Sequence, residues 1–330
     1  MPGIRFAAGV SATSDFATIA AACEAAERGG FDAFTRPDHL LAEGTLGAPS
    51  GTLHECFTTL AALAARTTRI RFVPVVACNS FRHPALLARM VATLDVVSGG
   101  RMELGLGAGW HRREYDAYGY PFPPISERLA RLREGIGVIK RLWTGDAVDH
   151  DGPHYRLRAA RCTPVPLQRP RPPILVGGGG PGLLAIAAAE ADVVNVVPPA
   201  SHGAADPAEV RRFTLARFRD RAVQVRRLAA EAGRDPASLV LSAVVFVQLT
   251  DDAAATRRAY EAIAARWSLD PAAAERLPIV IAGTPDVLRD RLAERLAALD
   301  VRYAILNFAD PAAVARFAAD VLPALRAQGA

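Results

Sequence analysis

The chain has 330 residues, 51% hydrophobic and 22% charged, with a formal net charge of +5. That is enough to bury a large core, and the composition fits neither a disordered nor a disulfide-stapled protein. No apolar run is long enough to span a bilayer, and the opening MPGIRFAAGV lacks the layout of a secretory leader. Four scattered cysteines (Cys23, Cys56, Cys78, Cys162) follow neither metal nor disulfide-framework spacing, so a reduced, cytoplasmic protein is expected. Its basic excess is carried by arginine, with Lys140 the sole lysine. Along 207–232 the arginines are interrupted by Glu209, Asp220 and Glu231 without aromatic partners, the pattern of a solvated helix face. Neither nucleic acid nor membrane is an expected partner.

In chain order the pattern alternates strand and helix. Strands are expected at 4–10, 31–35, 70–77, 101–107, 173–176, 192–197, 239–249 and 303–308. Helices are expected at 14–28, 56–68, 82–98, 126–143, 183–191 and 207–232, with a last one from Pro311. Two more, about 251–266 and 285–298, are read as an addition between the seventh and eighth strands. Such alternation implies parallel strands with right-handed crossovers. Eight units predict an α/β fold, a (β/α)8 TIM barrel of one domain over 1–330. Insertions at 41–53, 110–125 and 144–172 are placed at its C-terminal face, the last with an Asp-Gly hairpin turn in VDHDGPHYRL.

A barrel of this kind keeps its site at the carboxyl ends of the strands. There the second strand ends in Arg36-Pro37-Asp38-His39 and the fourth in Gly107-Ala108-Gly109-Trp110-His111. The fifth ends in Gly177-Gly178-Gly179-Gly180, directly before a helix. Free amides at a helix start favour an anion, usually a phosphate. Gly177, Gly179 and Gly182 match G-x-G-x-x-G, but at the fifth strand and without a ribose-binding acid after the next one. Gly105, Gly107 and Gly109 either floor an open mouth for a flat ring or serve close strand packing. Trp110 either stacks on a ligand or lids the barrel. His39 is a candidate proton carrier, or else pins the loop behind it, and His111 is a second candidate. Glu114 and Tyr115 either reach a ligand or fix the insertion. His83 reads as a helix cap, and His54, His150, His154 and His202 have no evident partner. Cys78 reads as an inert thiol. No triad, Walker motif or metal-spaced cluster is legible, so no metal is expected. An anion cradle without a nucleophile points to a bound redox cofactor.

Four stretches together resemble the luciferase-like monooxygenase superfamily, in particular its F420-dependent oxidoreductases. They are RPDHL (36–40), FRHPALLARMVATLDVVSGGRMELGLGAGWHRREYDAYG (81–119), PPILVGGGG (172–180) and AGTPDVLRDRLAERL (282–296). The resemblance implies a (β/α)8 barrel, a homodimer, and F420 (alternatively FMN) at the mouth. It implies a bulge with a non-proline cis peptide among Val75, Val76 and Ala77, behind the ring. The cofactor phosphate is then expected on Gly177 to Gly180. Asp38, His39, Gly107, Ala108 and Gly109 are expected near ring and substrate. Trp110 stands where the sugar-phosphate dehydrogenases of this superfamily carry an acid, which argues against that oxidation. The implied activity is hydride transfer from reduced F420 to an activated C=C, C=N or C=O of a small or peptide-borne substrate, with His39 or His111 as proton donor. The alternatives are an FMN-dependent two-component monooxygenase and a non-catalytic flavin-binding barrel.

Overall fold

Inward and outward residues alternate along short buried strands, and this alternation builds two concentric cores. Ala7, Ala33, Val73, Leu175, Val193, Tyr303 and Ile305 pack on one another inside the sheet. Their neighbours Phe6, Phe34 and Phe72 point out into the larger core beneath the helices. The computed structural model describes residues 3–42, 51–200 and 207–328. His202 and residues 43–50 of the expected first insertion lie outside that range.

The strands in chain order are β1 (Arg5–Val10), β2 (Ala33–Arg36), β3 (Arg71–Pro74), β4 (Ala77–Cys78), β5 (Leu104–Gly107), β6 (Val148–Asp151), β7 (Arg156–Ala160), β8 (Ile174–Gly178), β9 (Val193–Val196), β10 (Val240–Leu249), β11 (Val280–Gly283) and β12 (Val301–Phe308). Parallel neighbours run β3-β2-β1-β12-β10-β9-β8-β5-β4. β3 and β4 are two halves of one interrupted strand, joined through a cis peptide between Val75 and Val76. The first half pairs with β2, while the second pairs with β5, so that one segment closes the ring. Counted this way, the eight expected strands are all present. β6 and β7 form the expected hairpin outside the barrel.

Three local expectations are corrected. β11 was not anticipated; it pairs with the end of β10 over Phe246–Leu249, so the addition there is two helices, a strand and a third helix. The helix expected over 207–232 is two, Pro207–Arg212 and Leu215–Glu231, because the Thr214 hydroxyl accepts from the Arg217 amide and starts a new helix. The insertion at 110–125 contains a short helix, Arg112–Tyr118. Side-chain caps start other helices, Asp15 the first and His83, as anticipated, the third. Among the arginines of 215–231, Arg226 bonds the Leu239 carbonyl and Asp300, and Arg219 bonds the Ala298 carbonyl, so both fasten the helix to the body.

Candidate active site

A cavity of about 1300 Å³ opens at the carboxyl ends of the strands. Of the residues singled out from the sequence, His39, Asp38, Val75, Val76, Ala77, Gly107, Ala108, Gly109 and Gly177 to Gly180 line it. His111 does not: it is 2% exposed, beneath the stacked ring of Trp110 at 5.0 Å between centroids. It meets the cavity through Trp110 and Glu114, which line it.

Glu114 is the residue the sequence left undecided. The helix Arg112–Tyr118 carries it back over the end of β2, where its Oε1 accepts from His39 Nδ1 at 2.9 Å. The same oxygen accepts from the amides of Leu40 (2.7 Å) and Leu41 (3.1 Å). His111 Nδ1 stands 3.5 Å away and has no hydrogen-bond partner. Burial favours the neutral carboxyl, but the facing imidazoles and the loop amides outweigh it and pull the pKa down to about 2. Glu114 is therefore a carboxylate at neutral pH and accepts only. His39 Nδ1 must then carry the proton, which leaves Nε2 as its exchangeable nitrogen toward the cavity. Trp110 packs edge-on against His39 at 5.5 Å and fixes the ring plane. This carboxylate–imidazole pair can hold and deliver one proton.

The glycines divide into two kinds. Of the two readings of Gly105, Gly107 and Gly109, Gly107 follows close packing, and Gly177 is packed in the same way. A Cβ on Gly107 would sit 2.7 Å from Val76 Cγ2, and one on Gly177 would sit 2.8 Å from Cγ1 of the same valine. They are small because Val76 fills the space between their strands. Gly180 is different. It is the N-cap of the helix Pro181–Glu190, offers no side-chain cap, and a Cβ there would meet nothing within 4 Å. Gly180, Gly182 and Leu183 line the cavity, so the start of this helix turns its open end toward it.

Asp38 lines the wall, but its carboxylate is engaged. Arg82 reaches both oxygens at 2.6 and 2.9 Å, and the Cys78 amide donates at 3.0 Å. It ties the end of β2 to β4. Cys78 is buried against the Tyr115 hydroxyl at 3.1 Å, and burial pushes its pKa up to about 11, which leaves a thiol. Thr35, Asn195 and Asn307 also line the cavity and were missed. The available signal was a single polar residue at an inward position of a buried strand, as in VVNV and ILNF. Arg128 is a further cavity cation, held over the Phe122 ring at 4.2 Å and bonded to the Gly109 carbonyl. Nor does the absence of a metal-spaced cluster hold. His39, His111 and Glu114 each place a donor atom within 4.8 Å of the others, although 72 residues separate the two histidines in sequence (111 − 39).

The chain as a whole is similar to several known proteins. Over 161 residues the chain is 38% identical to the F420-dependent glucose-6-phosphate dehydrogenase of Nocardia farcinica, covering 47% of this chain and 46% of that one. Over 134 residues it is 35% identical to the FMNH(2)-dependent dimethylsulfone monooxygenase of Pseudomonas putida, covering 41% and 37%. The matches thus span less than half of either relative. The fold aligns with the coenzyme F420 dependent tetrahydromethanopterin reductase of Methanopyrus kandleri at a TM-score of 0.78, with 21% identity over 98% of this chain and 99% of that one. The model of the luciferase-like monooxygenases matches residues 3–298, and the chain belongs to that family.

Proposed function

We propose that the protein is an F420-dependent oxidoreductase acting in the cytoplasm, working as a reductase on a small or peptide-borne substrate with an activated C=C, C=N or C=O. The observation that carries this reading is the His39–Glu114 pair, which opens onto the same cavity as the uncapped helix start at Gly180.

The residues present fit such a cofactor. The open helix start at Gly180, with the amides of Gly182 and Leu183, suits a phosphate. Thr35, Asn195 and Asn307 offer hydrogen-bonding groups to a polar ring edge in front of Val75 and Val76. A volume of about 1300 Å³ exceeds the roughly 300–1,000 Å³ of a typical single-ligand pocket, which leaves room for a second molecule. Bound in its reduced form, F420 supplies a hydride. The protein's part is to hold the acceptor and protonate the atom left negative. His39, as an imidazolium, donates from Nε2 and returns to the neutral Nδ1–H tautomer, while Glu114 fixes that tautomer and stabilises the charged form. Glu114 is ionised and cannot donate, and Trp110 replaces the acid of the sugar-phosphate branch. The second point argues against sugar-phosphate oxidation.

The test is a fluorescence titration of the purified protein with F420 and, separately, with FMN. Tight F420 binding followed by substrate-dependent oxidation of reduced F420 is expected. A preference for FMN moves the assignment to the second reading, a monooxygenase like the dimethylsulfone enzyme, with oxygen uptake as its assay. Binding of neither overturns the cofactor reading.

A further inference from the structure

We propose that His39, His111 and Glu114 form a binding site for a divalent transition metal ion of the zinc class. The donors are two imidazole nitrogens and one carboxylate oxygen, a set that suits Zn²⁺, Co²⁺ or Ni²⁺ and not the oxygen-seeking Mg²⁺ or Ca²⁺. Their spacing is close to what an ion needs. Bonds of about 2.0–2.2 Å around a tetrahedral ion put its ligands roughly 3.3 Å apart. Here the two Nδ1 atoms stand 2.9 and 3.5 Å from Glu114 Oε1, and the donors of all three residues fall within 4.8 Å. The imidazoles must close on each other by up to about 1.5 Å, and His39 must draw back slightly from the carboxylate.

A second observation is independent of that spacing. His111 Nδ1 is buried, faces the cluster and lies 3.5 Å from Glu114 Oε1, too far for a good hydrogen bond, so a polar atom is left under-used where an ion would engage it. The amides of Leu40 and Leu41 already hold Glu114 Oε1 in place, as the outer partners of a ligating carboxylate do. The ion would replace the His39 N–H as the third partner of that oxygen. Because His39 and Glu114 line the cavity, entry is from its side, and the fourth position is left to water.

The experiment uses the whole chain, dialysed against a chelator and without F420. Co²⁺ is titrated while its visible absorption is followed, and Zn²⁺ is then added to displace it. The expected result is one equivalent of bound Co²⁺ with the spectrum of a four- or five-coordinate ion. Binding should weaken at least tenfold in His111→Ala and, separately, in His39→Ala, where a partly exposed side chain is removed and folding is not at stake. His150→Ala should leave binding unchanged, since His150 Nε2 pairs with Glu134 at 2.9 Å outside this cluster. No stoichiometric Co²⁺ spectrum, or one that survives both cluster substitutions, overturns the site. Neither result depends on F420, so failure here and failure of the cofactor reading are told apart.

Discussion

Two buried carboxylates, one at each end of the barrel, are used in opposite ways. At the amino end Glu103 is fully buried, and its Oε1 accepts from Arg5 and Arg71, both at 2.8 Å. The Arg5 guanidinium lies 4.0 Å above the Tyr303 ring, so this end is plugged. Guanidiniums stay charged over the whole physiological range, and the cluster has no proton to exchange. At the carboxyl end Glu114 faces the imidazoles of His39 and His111 at the rim of a cavity. Both ends hold a buried polar atom without a partner, Glu103 Oε2 and the Tyr303 hydroxyl below and His111 Nδ1 above. A buried carboxylate alone marks neither structure nor catalysis. Its partners, and what they open onto, decide.

The comparison predicts that damage above costs rate and damage below costs stability. His39→Ala is expected to lower turnover by about 10²–10⁴-fold, the usual worth of a positioned proton carrier, with a smaller loss of stability than removal of Glu103 causes. Wild-type turnover in that variant would leave the non-catalytic barrel as the better reading. Glu103→Ala is expected to destabilise the fold by about 3 kcal/mol, because it strands two cations. Arg5 and Arg71 are each roughly a third exposed, which keeps the cost at the low end of the usual range. Denaturant melts check it, and turnover of the folded fraction should be unchanged.

The acid limb of stability sharpens the contrast. In the metal-free protein the Glu114 pKa is depressed to about 2 from 4.5. Its contribution is therefore complete above pH 4.5 and is lost as pH falls toward 2, on the order of 3 kcal/mol in all. Glu114→Gln keeps the loop amides bonded and should flatten that limb between pH 4.5 and 2; equal slopes in the two proteins would refute the assignment. The smallest effect is expected from Gly180→Asp. It places a carboxylate at the open helix start, so the dissociation constant for F420 should rise about tenfold while stability moves by only a few tenths of a kcal/mol. Unchanged binding would take the phosphate away from this helix.

The eight strands were legible because strands buried on both faces read as continuous apolar runs, as IRFVPVVA and LVLSAVVFVQL do. β11 was not, since four residues, VIAG, between two helical patterns give too short a run to separate from a helix end. His39 and Gly180 were visible as chemistry at strand ends. The pairing of His39 with Glu114 was not, because 75 residues separate them and only the turn of the helix Arg112–Tyr118 brings them together. The sequence also left open what the small residues of the fourth strand were for, and the answer lay in a third residue, Val76.

Val76 has one methyl against Gly107 and the other against Gly177, so neither glycine can acquire a side chain by itself. A β-branched residue has little rotamer freedom with which to yield. The three positions form one unit of inheritance across separate strands. Gly107→Ala should be tolerated only alongside a smaller residue at position 76, and the pair should recover together what each change loses alone. For anyone redesigning the mouth, the handle on its depth is this single valine, and the glycines around it are bound to follow.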